Sequence, residues 1–185
     1  MILLNDKVAI ITGASSGIGR SAAKLFGRNG AKLVVTARRG SELDKLVGEI
    51  QSGGGEAVAI AGDIRSEDHV RQVTERAIDQ FGRLDIALNN AGAAGVMAET
   101  PDLSLDDWNE AIATNLTSAF LCAKHQIPAM LSEGSGSIVF TSSFVGNSVG
   151  MPGMAGYAAA KAGIIGLTKV LGGQCSPRGV RGNGV

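Results

Sequence analysis

The chain has 185 residues, of which 44% are hydrophobic and 18% charged. This composition indicates one folded domain with a sizeable core and excludes a disordered chain. Basic and acidic residues number 17 each, so no bulk charge draws the protein to nucleic acid or to an anionic membrane. No apolar run reaches the about 18 residues of a membrane span, and the N-terminal segment is too short for the core of a signal peptide. We therefore expect a cytoplasmic protein that binds neither nucleic acid nor membrane.

The residues best suited to binding a transition metal are scattered. Cys122 and Cys175 form no Cys-x-x-Cys pair, and His69 and His125 add no spacing that is typical of a metal site. We expect no metal, and two reduced thiols without a chemical role.

Short apolar runs alternate with longer amphipathic stretches along the chain. The runs lie at 8–11, 33–35, 57–60, 84–88 and 138–140, and their Val- and Ile-rich composition is typical of strands buried on both faces of a parallel sheet. The stretches between them predict helices at 17–29, 41–52, 66–81, 105–132 and 155–172. Together they predict an α/β fold of Rossmann type, with a doubly wound parallel sheet flanked by helices on both faces, in one domain spanning residues 1–185.

A sixth strand would fall at residues 180–185, where the sequence reads VRGNGV. Gly182 and Gly184 weaken a strand at this place.

A glycine-rich loop, TGASSGIG over residues 12–19, separates the first strand from the first helix. Gly13 permits a sharp turn, Gly17 a close approach of the backbone to a pyrophosphate, and Gly19 close packing of helix on sheet. The N-terminus of the helix offers free N–H groups to an anion. A glycine-rich turn without a ligand is the alternative, but the position between strand and helix favours nucleotide binding. The contacts expected in this loop are Gly13, Ser15, Ser16, Gly17, Ile18 and Gly19.

Four motifs in chain order carry a family resemblance. The Gly-x-x-x-Gly-x-Gly loop is followed by NNAG at residues 89–92, by a Ser-Ser pair at 142–143, and by Tyr-x-x-x-Lys at 157–161. In these motifs the chain resembles the short-chain dehydrogenase/reductase family, and is similar to its 3-oxoacyl-carrier-protein reductase-like members, from residue 7 to residue 171. The resemblance implies an oxidoreductase that moves hydride between a nicotinamide and a carbonyl or secondary alcohol.

The end of the second strand predicts which nicotinamide cofactor binds. An acidic residue there would bond the ribose hydroxyls of NAD, whereas this chain has Arg38 and Arg39, whose guanidinium groups suit a phosphate. Ser15 could add a hydroxyl donor. NADP is therefore favoured over NAD. The alternative is that Arg38 and Arg39 are a solvated pair of charges at the start of a loop.

Further cofactor contacts follow from the resemblance alone. Asp63 and the backbone of Ile64 would meet the adenine, while Asn89, Ala91 and Gly92 would line the middle of the cofactor. Aspartate is also common at helix N-caps, and Asn and Gly at turns, so for Asp63 both interpretations stay open.

The catalytic prediction rests on Tyr157 and Lys161, which lie four residues apart and so share one helix face. A free phenol is too weak an acid to exchange protons readily near neutrality, and a nearby ammonium favours its ionised form. By resemblance, Tyr157 is the acid/base, Lys161 also holds the nicotinamide ribose, Ser143 rather than Ser142 positions the substrate oxygen, and Asn115 anchors a proton relay. Each feature alone has an ordinary structural explanation, and their order along the chain favours catalysis.

The C-terminal end departs from the family pattern. The family continues with a substrate loop and a seventh strand, on the order of 60 residues that nothing here matches. A chain ending at residue 185 would lack this wall of the pocket, and a non-catalytic NADP(H)-binding protein is then the alternative function. The two last predicted helices resemble family surfaces that form a homodimer or homotetramer, but ordinary core packing would give the same apolar patterns. Met97, Phe144, Met151 and Met154 indicate an apolar substrate pocket, with cover by loop methionines as the alternative.

Overall fold

The computed structural model describes residues 3–185, which contain one six-stranded sheet. All neighbouring strands are parallel, in the order β3-β2-β1-β4-β5-β6. The strands are β1 (Val8–Thr12), β2 (Lys32–Ala37), β3 (Glu56–Ala61), β4 (Ile86–Asn89), β5 (Gly136–Phe140) and β6 (Val180–Gly184). The order reverses between β1 and β4, and ligands of such sheets bind beyond the carboxyl ends of the strands at that point.

Helices connect the strands and cover both faces of the sheet. They are α1 (Gly17–Arg28), α2 (Gly40–Ser52), α3 (Glu67–Phe81), α4 (Leu105–Ile112), α5 (Ser118–Ser132) and α6 (Ala155–Cys175). Ser66 and Ser104 cap α3 and α4 by accepting hydrogen bonds from the amides of His69 and Asp107. Gly82 ends α3 in the left-handed conformation, with φ of 82°.

Successive residues of β1 belong to two separate cores. Val8 and Ile10 pack with apolar residues of α3, α5 and α6, whereas Ala9 and Ile11 pack with those of α1 and α2. All four side chains are at most 1% exposed. Because alternate strand residues point to opposite faces, this pattern requires helices on both sides of the sheet. The predicted doubly wound α/β fold is therefore confirmed.

Residues 105–132 are helical throughout, as predicted, but the helix is not uniform. A five-residue π-helical segment, Ala113–Thr117, separates α4 from α5. Asn115 lies in it and donates from Nδ2 to the carbonyl oxygen of Ala111 at 2.9 Å. This side chain inserts into the backbone hydrogen-bond ladder, which is a known cause of such bulges.

The sixth strand, β6, forms at Val180–Gly184 despite its two glycines. It pairs with β5 from Gly136↔Val180 to Phe140↔Gly184. Val180 is buried, and the Cβ position of Gly182 lies 3.5 Å from Cβ of Leu171 in α6. Backbone pairing and packing on α6 outweigh the intrinsic weakness of glycine in a strand.

No helix within the described residues 3–185 is long and apolar enough to cross a membrane.

Candidate active site

The glycine loop folds as a tight turn with one open point. A Cβ on Gly19 would lie 2.5 Å from the carbonyl oxygen of Gly13, and a Cβ on Gly13 would lie 2.9 Å from Cα of Ala91. Gly17, by contrast, has φ of +54° and open space at its Cβ position. The first turn of α1 contains no acidic residue, unlike the first turns of α3 and α4. This turn can therefore receive an anion, which the helix N-terminus attracts.

A cleft of about 330 Å³ lies next to this turn, at the carboxyl ends of β1, β2, β3 and β4. Nine of the predicted cofactor contacts line it, namely Gly13, Ser15, Ser16, Arg38, Arg39, Asp63, Ile64, Ala91 and Gly92. Thr36, Ala37, Gly62, Arg65, Ala93 and Thr114 line it as well. The cleft thus brings together residues from four separate loops. Gly17, Ile18 and Gly19 belong to the adjoining turn.

Arg39 ties the end of β2 to the glycine loop. Its Nη2 donates to Oγ of Ser15 at 3.0 Å and to Oγ of Ser16 at 2.7 Å. Arg38 is exposed beside it at the cleft. Two guanidinium groups and two hydroxyls at one place form a donor set that suits a phosphate.

Asp63 and Arg65 form an ion pair at the same cleft, which the sequence did not reveal. Arg65 donates from Nε to both carboxylate oxygens of Asp63, at 3.0 and 2.9 Å, and reaches Glu110 in α4 through Nη1. Hydrogen bonding by Arg65 holds the pKa of Asp63 below its ordinary value. An amide hydrogen bond from Arg65 to Asp63 also makes a local turn, so the structural interpretation of Asp63 has support alongside its place in the cleft.

The two asparagines after β4 have different roles, and the structure places Asn89 away from the cleft. Asn89 is buried and exchanges two hydrogen bonds with the amide of Gln126 in α5, at 2.8 and 3.1 Å. Asn90 instead donates from Nδ2 to the carbonyl oxygen of Thr12. The hydroxyl of Thr12 accepts from the amides of Asn90 and Ala91, both at 3.0 Å. Thr12 thus holds the NNAG turn against the glycine loop.

Lys161 is the centre of the predicted catalytic cluster. Its side chain is buried, and Nζ donates to the carbonyl oxygen of Thr141 at 2.6 Å. Nζ also lies 5.6 Å from the centre of the Tyr157 ring, one turn earlier in α6. Burial lowers the pKa of Lys161, because a charged ammonium is costly away from water. The arrangement places a positive charge beside the chain's only tyrosine.

Asn115 reaches the same cluster through the π-helical segment. Its Oδ1 accepts from the amide of Ala93 at 3.1 Å, and its Nδ2 donates to the carbonyl oxygen of Ala93 at 2.9 Å. A Cβ on Gly92 would lie 2.7 Å from Asn115 Oδ1 and 3.4 Å from Lys161 Nζ. Both side chains therefore lie next to Gly92, and a side chain at position 92 would crowd the amide of Asn115.

The two serines after β5 face different partners. Ser142 donates from Oγ to the carbonyl oxygen of Lys161 at 3.2 Å. Ser143 is half-buried, and its Oγ accepts from the amide of Val145 at 3.1 Å. Accepting that bond leaves the Ser143 hydroxyl hydrogen able to donate elsewhere. The difference supports Ser143, not Ser142, as the serine that meets a substrate.

Comparison with known proteins places this constellation in a family. Residues 7–185 match the family model described as short chain dehydrogenase. The chain belongs to the short-chain dehydrogenase family. It is 40% identical to a 3-oxoacyl-[acyl-carrier-protein] reductase of Synechocystis, across all of this chain and 74% of the relative. It is 39% identical to a cyclohexanol dehydrogenase of Acinetobacter, across 98% of this chain and 72% of the relative.

A solved dehydrogenase structure has the same backbone arrangement. A 7α-hydroxysteroid dehydrogenase, complexed with NADH and 7-oxo glycochenodeoxycholic acid, superposes with a TM-score of 0.94. It shares 33% sequence identity, and the match covers 99% of this chain and 71% of that one. The protein is therefore an oxidoreductase of the short-chain dehydrogenase family that acts on CH–OH or C=O groups.

Residues 3–185 contain no group of three or more His, Cys, Asp or Glu placed to hold a metal ion. Cys122 and Cys175 are both buried and unbridged, and burial raises the pKa of the Cys122 thiol to about 12.

Proposed function

We propose that this short-chain dehydrogenase is an NADPH-dependent carbonyl reductase, or the reverse alcohol dehydrogenase, with Tyr157 as its acid/base. The observation that carries the proposal is the buried Lys161 ammonium 5.6 Å from the Tyr157 ring. A cation held there by the Thr141 carbonyl would stabilise the negative charge that develops on the phenol oxygen as its proton is transferred.

The cleft and the glycine loop fit a dinucleotide. The open backbone at Gly17 and the acid-free first turn of α1 would hold its pyrophosphate, and Asp63 and Ile64 its adenine end. Ala91 and Gly92 would line its middle, and Lys161 would bond the ribose next to the nicotinamide. When bound, the reduced nicotinamide supplies the hydride that adds to the carbonyl carbon.

The chain's own residues supply the proton and fix the substrate. In the reducing direction, Tyr157 donates its phenolic proton to the carbonyl oxygen as that oxygen gains negative charge. Ser143 donates a hydrogen bond to the same oxygen and holds it in place. Lys161 stabilises the phenolate that remains. Asn115, whose amide is hydrogen-bonded to both backbone groups of Ala93, would anchor the relay that returns a proton to Tyr157.

The choice of NADPH rests on charge at the end of β2. Arg38 and Arg39 line the cleft, and Arg39 donates hydrogen bonds to the hydroxyls of Ser15 and Ser16. A 2′-phosphate adds negative charge, which these guanidinium groups would bond. The 7α-hydroxysteroid dehydrogenase, by contrast, was solved with NADH. Measuring the affinities of this chain for NADPH and for NADH tests the proposed preference.

The protein partner we propose is a second copy of the chain, in a homodimer or homotetramer. Phe120 in α5 and Val170 in α6 are 50% and 55% exposed. A large apolar side chain exposed on each of these helices supports an interface there.

The test is a Tyr157→Phe variant assayed with NADPH and cyclohexanone, a ketone chosen because a relative is a cyclohexanol dehydrogenase. The variant should bind NADPH as the wild type does, since only a hydroxyl is removed, and should lose at least about a hundredfold in kcat. Undiminished turnover would refute the role of Tyr157. NADPH binding without turnover of any ketone or alcohol by the wild type would favour a protein that only binds the nucleotide.

A further inference from the structure

Two segments around Tyr157 contain no charged residue. They are residues 90–98, which read NAGAAGVMA, and residues 141–160, which read TSSFVGNSVGMPGMAGYAAA. Charged residues make up 18% of the whole chain, so their absence from both segments distinguishes this part of the protein. The first charged residues beyond them are Glu99 and Lys161.

The structure brings the two segments together. The amide of Ala98 donates to the carbonyl oxygen of Gly153 at 3.1 Å, and the Cβ position of Gly153 lies 3.7 Å from Cβ of Met97. Farther along, Gly146 packs directly on the backbone of Ala158, the residue after Tyr157. Both segments therefore lie beside the first turn of α6, where the phenol of Tyr157 is carried.

Apolar side chains of these segments point to solvent. Each of the following is more than two-fifths exposed: Val96, Met97, Phe144, Val149 and Met151. Five exposed apolar side chains on two segments that contact each other are a concentration of exposed apolar groups, which is typical of a ligand or partner site. We call these five residues the apolar rim.

Lys161, the charged residue of α6 nearest to Tyr157 in sequence, already has a hydrogen-bond partner. Lys161 is 3% exposed, and its ammonium donates to the carbonyl oxygen of Thr141. Arg38, Arg39 and Arg65 line the cleft at the ends of β2 and β3, where they meet the cofactor's proposed adenosine half. An anionic group on a substrate at the apolar rim would lose water without gaining a counter-charge from these loops.

We infer that the substrate is an uncharged, apolar ketone or secondary alcohol, bound by the apolar rim and carrying no carboxylate or phosphate next to its reacting carbon. This inference rests on the proposed function, since the rim is read as the substrate side of the Tyr157 site. Burying a hydrocarbon body against the rim is favourable, whereas burying an unpaired anion is not.

The test compares two ketones of matched shape, 4-methylcyclohexanone and 4-oxocyclohexanecarboxylate, with the wild-type protein and saturating NADPH. The kcat/KM of the neutral ketone should be about tenfold to a hundredfold higher than that of the carboxylate, mostly because its KM is lower. An equal or higher kcat/KM for the carboxylate would overturn the inference.

A charge added to the rim gives a second, independent arm. Phe144→Lys, at a side chain 63% exposed, should raise kcat/KM for the carboxylate and lower it for the neutral ketone. Leu105→Lys is the matched control, because Leu105 is 72% exposed but lies outside both segments, and it should change neither value. NADPH affinity, measured by quenching of the single tryptophan, should be unchanged in both variants. If Phe144→Lys leaves the preference unaltered, the rim does not bind substrate.

The two levels of the account fail differently. If the wild type reduces the ketone of 4-oxocyclohexanecarboxylate at least as efficiently as the neutral ketone, and Tyr157→Phe loses this activity, the inference is overturned and the proposed function stays intact. No reduction of either ketone, despite NADPH binding, would overturn the proposed function itself.

Discussion

The ammonium of Lys161 lies 5.6 Å from the centre of the Tyr157 ring while it donates a 2.6 Å hydrogen bond to the carbonyl of Thr141. The backbone carbonyl thus holds a buried charge in place without neutralising it. Such a charge stays available to act on the phenol, which an ion pair with a carboxylate would prevent. The consequence is measurable as a change in kcat when the charge is removed.

A Lys161→Met variant removes this charge and keeps most of the side-chain volume. The kcat for ketone reduction should fall at least about a hundredfold, because the positive charge that stabilises negative charge on the phenol oxygen during proton transfer is gone. Lys169→Met, at an exposed position two turns later in α6, is the control and should leave kcat unchanged. A wild-type kcat in Lys161→Met would show that the ammonium takes no part in the reaction at Tyr157.

A Gly92→Ala variant tests the contact between Asn115 and the cluster. The new methyl would lie 2.7 Å from Asn115 Oδ1, so the amide must move away from Ala93 and Lys161. Displacement of this size should lower kcat by about a hundredfold while the fold persists. Gly48→Ala in α2 has nothing within 4 Å of the new methyl and should leave kcat unchanged. Wild-type kcat in Gly92→Ala would argue against any role for Asn115.

Removal of Arg39 should change the cofactor preference. Arg39→Ala takes away the guanidinium that bonds Ser15 and Ser16 at the cleft. Loss of charge-assisted hydrogen bonds should raise the Kd for NADPH about tenfold to a hundredfold and change the Kd for NADH little. Arg28→Ala, at the C-terminal end of α1 away from the cleft, is the comparison. Equal weakening of both cofactors by Arg39→Ala would contradict recognition of the 2′-phosphate.

His69 should make stability depend on pH. Its Nε2 lies 2.8 Å from Oγ1 of Thr36, and the ring packs against Gly62, so it lies directly behind two residues that line the cleft. Burial lowers the pKa of His69 from 6.5, although the carboxylate of Asp63 opposes the shift. The unfolded chain then binds the proton more readily, so this contribution to stability is present above about pH 6.5 and is lost as the pH falls below it.

Denaturant unfolding of the wild type and of His69→Gln at a series of pH values measures this contribution. The difference in free energy of unfolding between the two proteins should shrink as the pH falls from 7 toward 5. Other groups cancel in that difference because both proteins share them. A difference that does not depend on pH would show that the folded and unfolded states protonate His69 equally, which would contradict the prediction.

The sequence predicted elements where local pattern and tertiary context agree. The strands β1 to β5 contain short apolar runs that are visible in the sequence. Tyr157 and Lys161 share a helix face in any helix that contains them. The sequence did not predict features that depend on contacts between residues distant along the chain. β6 forms despite Gly182 and Gly184 because β5 supplies the hydrogen bonds, and the π-helical segment exists because Asn115 finds acceptors in Ala93 and Ala111.

The asparagine pair shows the same limit at single-residue scale. Asn89 ends β4 and Asn90 follows it, so the two side chains leave the backbone in different directions. Only the positions of Gln126 and Thr12 determine that Asn89 belongs to the core and Asn90 to the glycine loop. The ion pair of Asp63 with Arg65 escaped notice for a related reason, because a turn that folds Arg65 back is needed to form it.

Hydride transfer itself is the central claim, and isotope transfer tests it most directly. Cyclohexanone is incubated with the protein and NADPH carrying deuterium at both C4 positions, and the product alcohol is analysed by mass spectrometry. The account predicts cyclohexanol with one deuterium on the carbinol carbon. With Tyr157→Phe, at least about a hundredfold less of this product should form in the same time. Cyclohexanol formed without deuterium would contradict direct transfer from the nicotinamide, and with it the proposed mechanism.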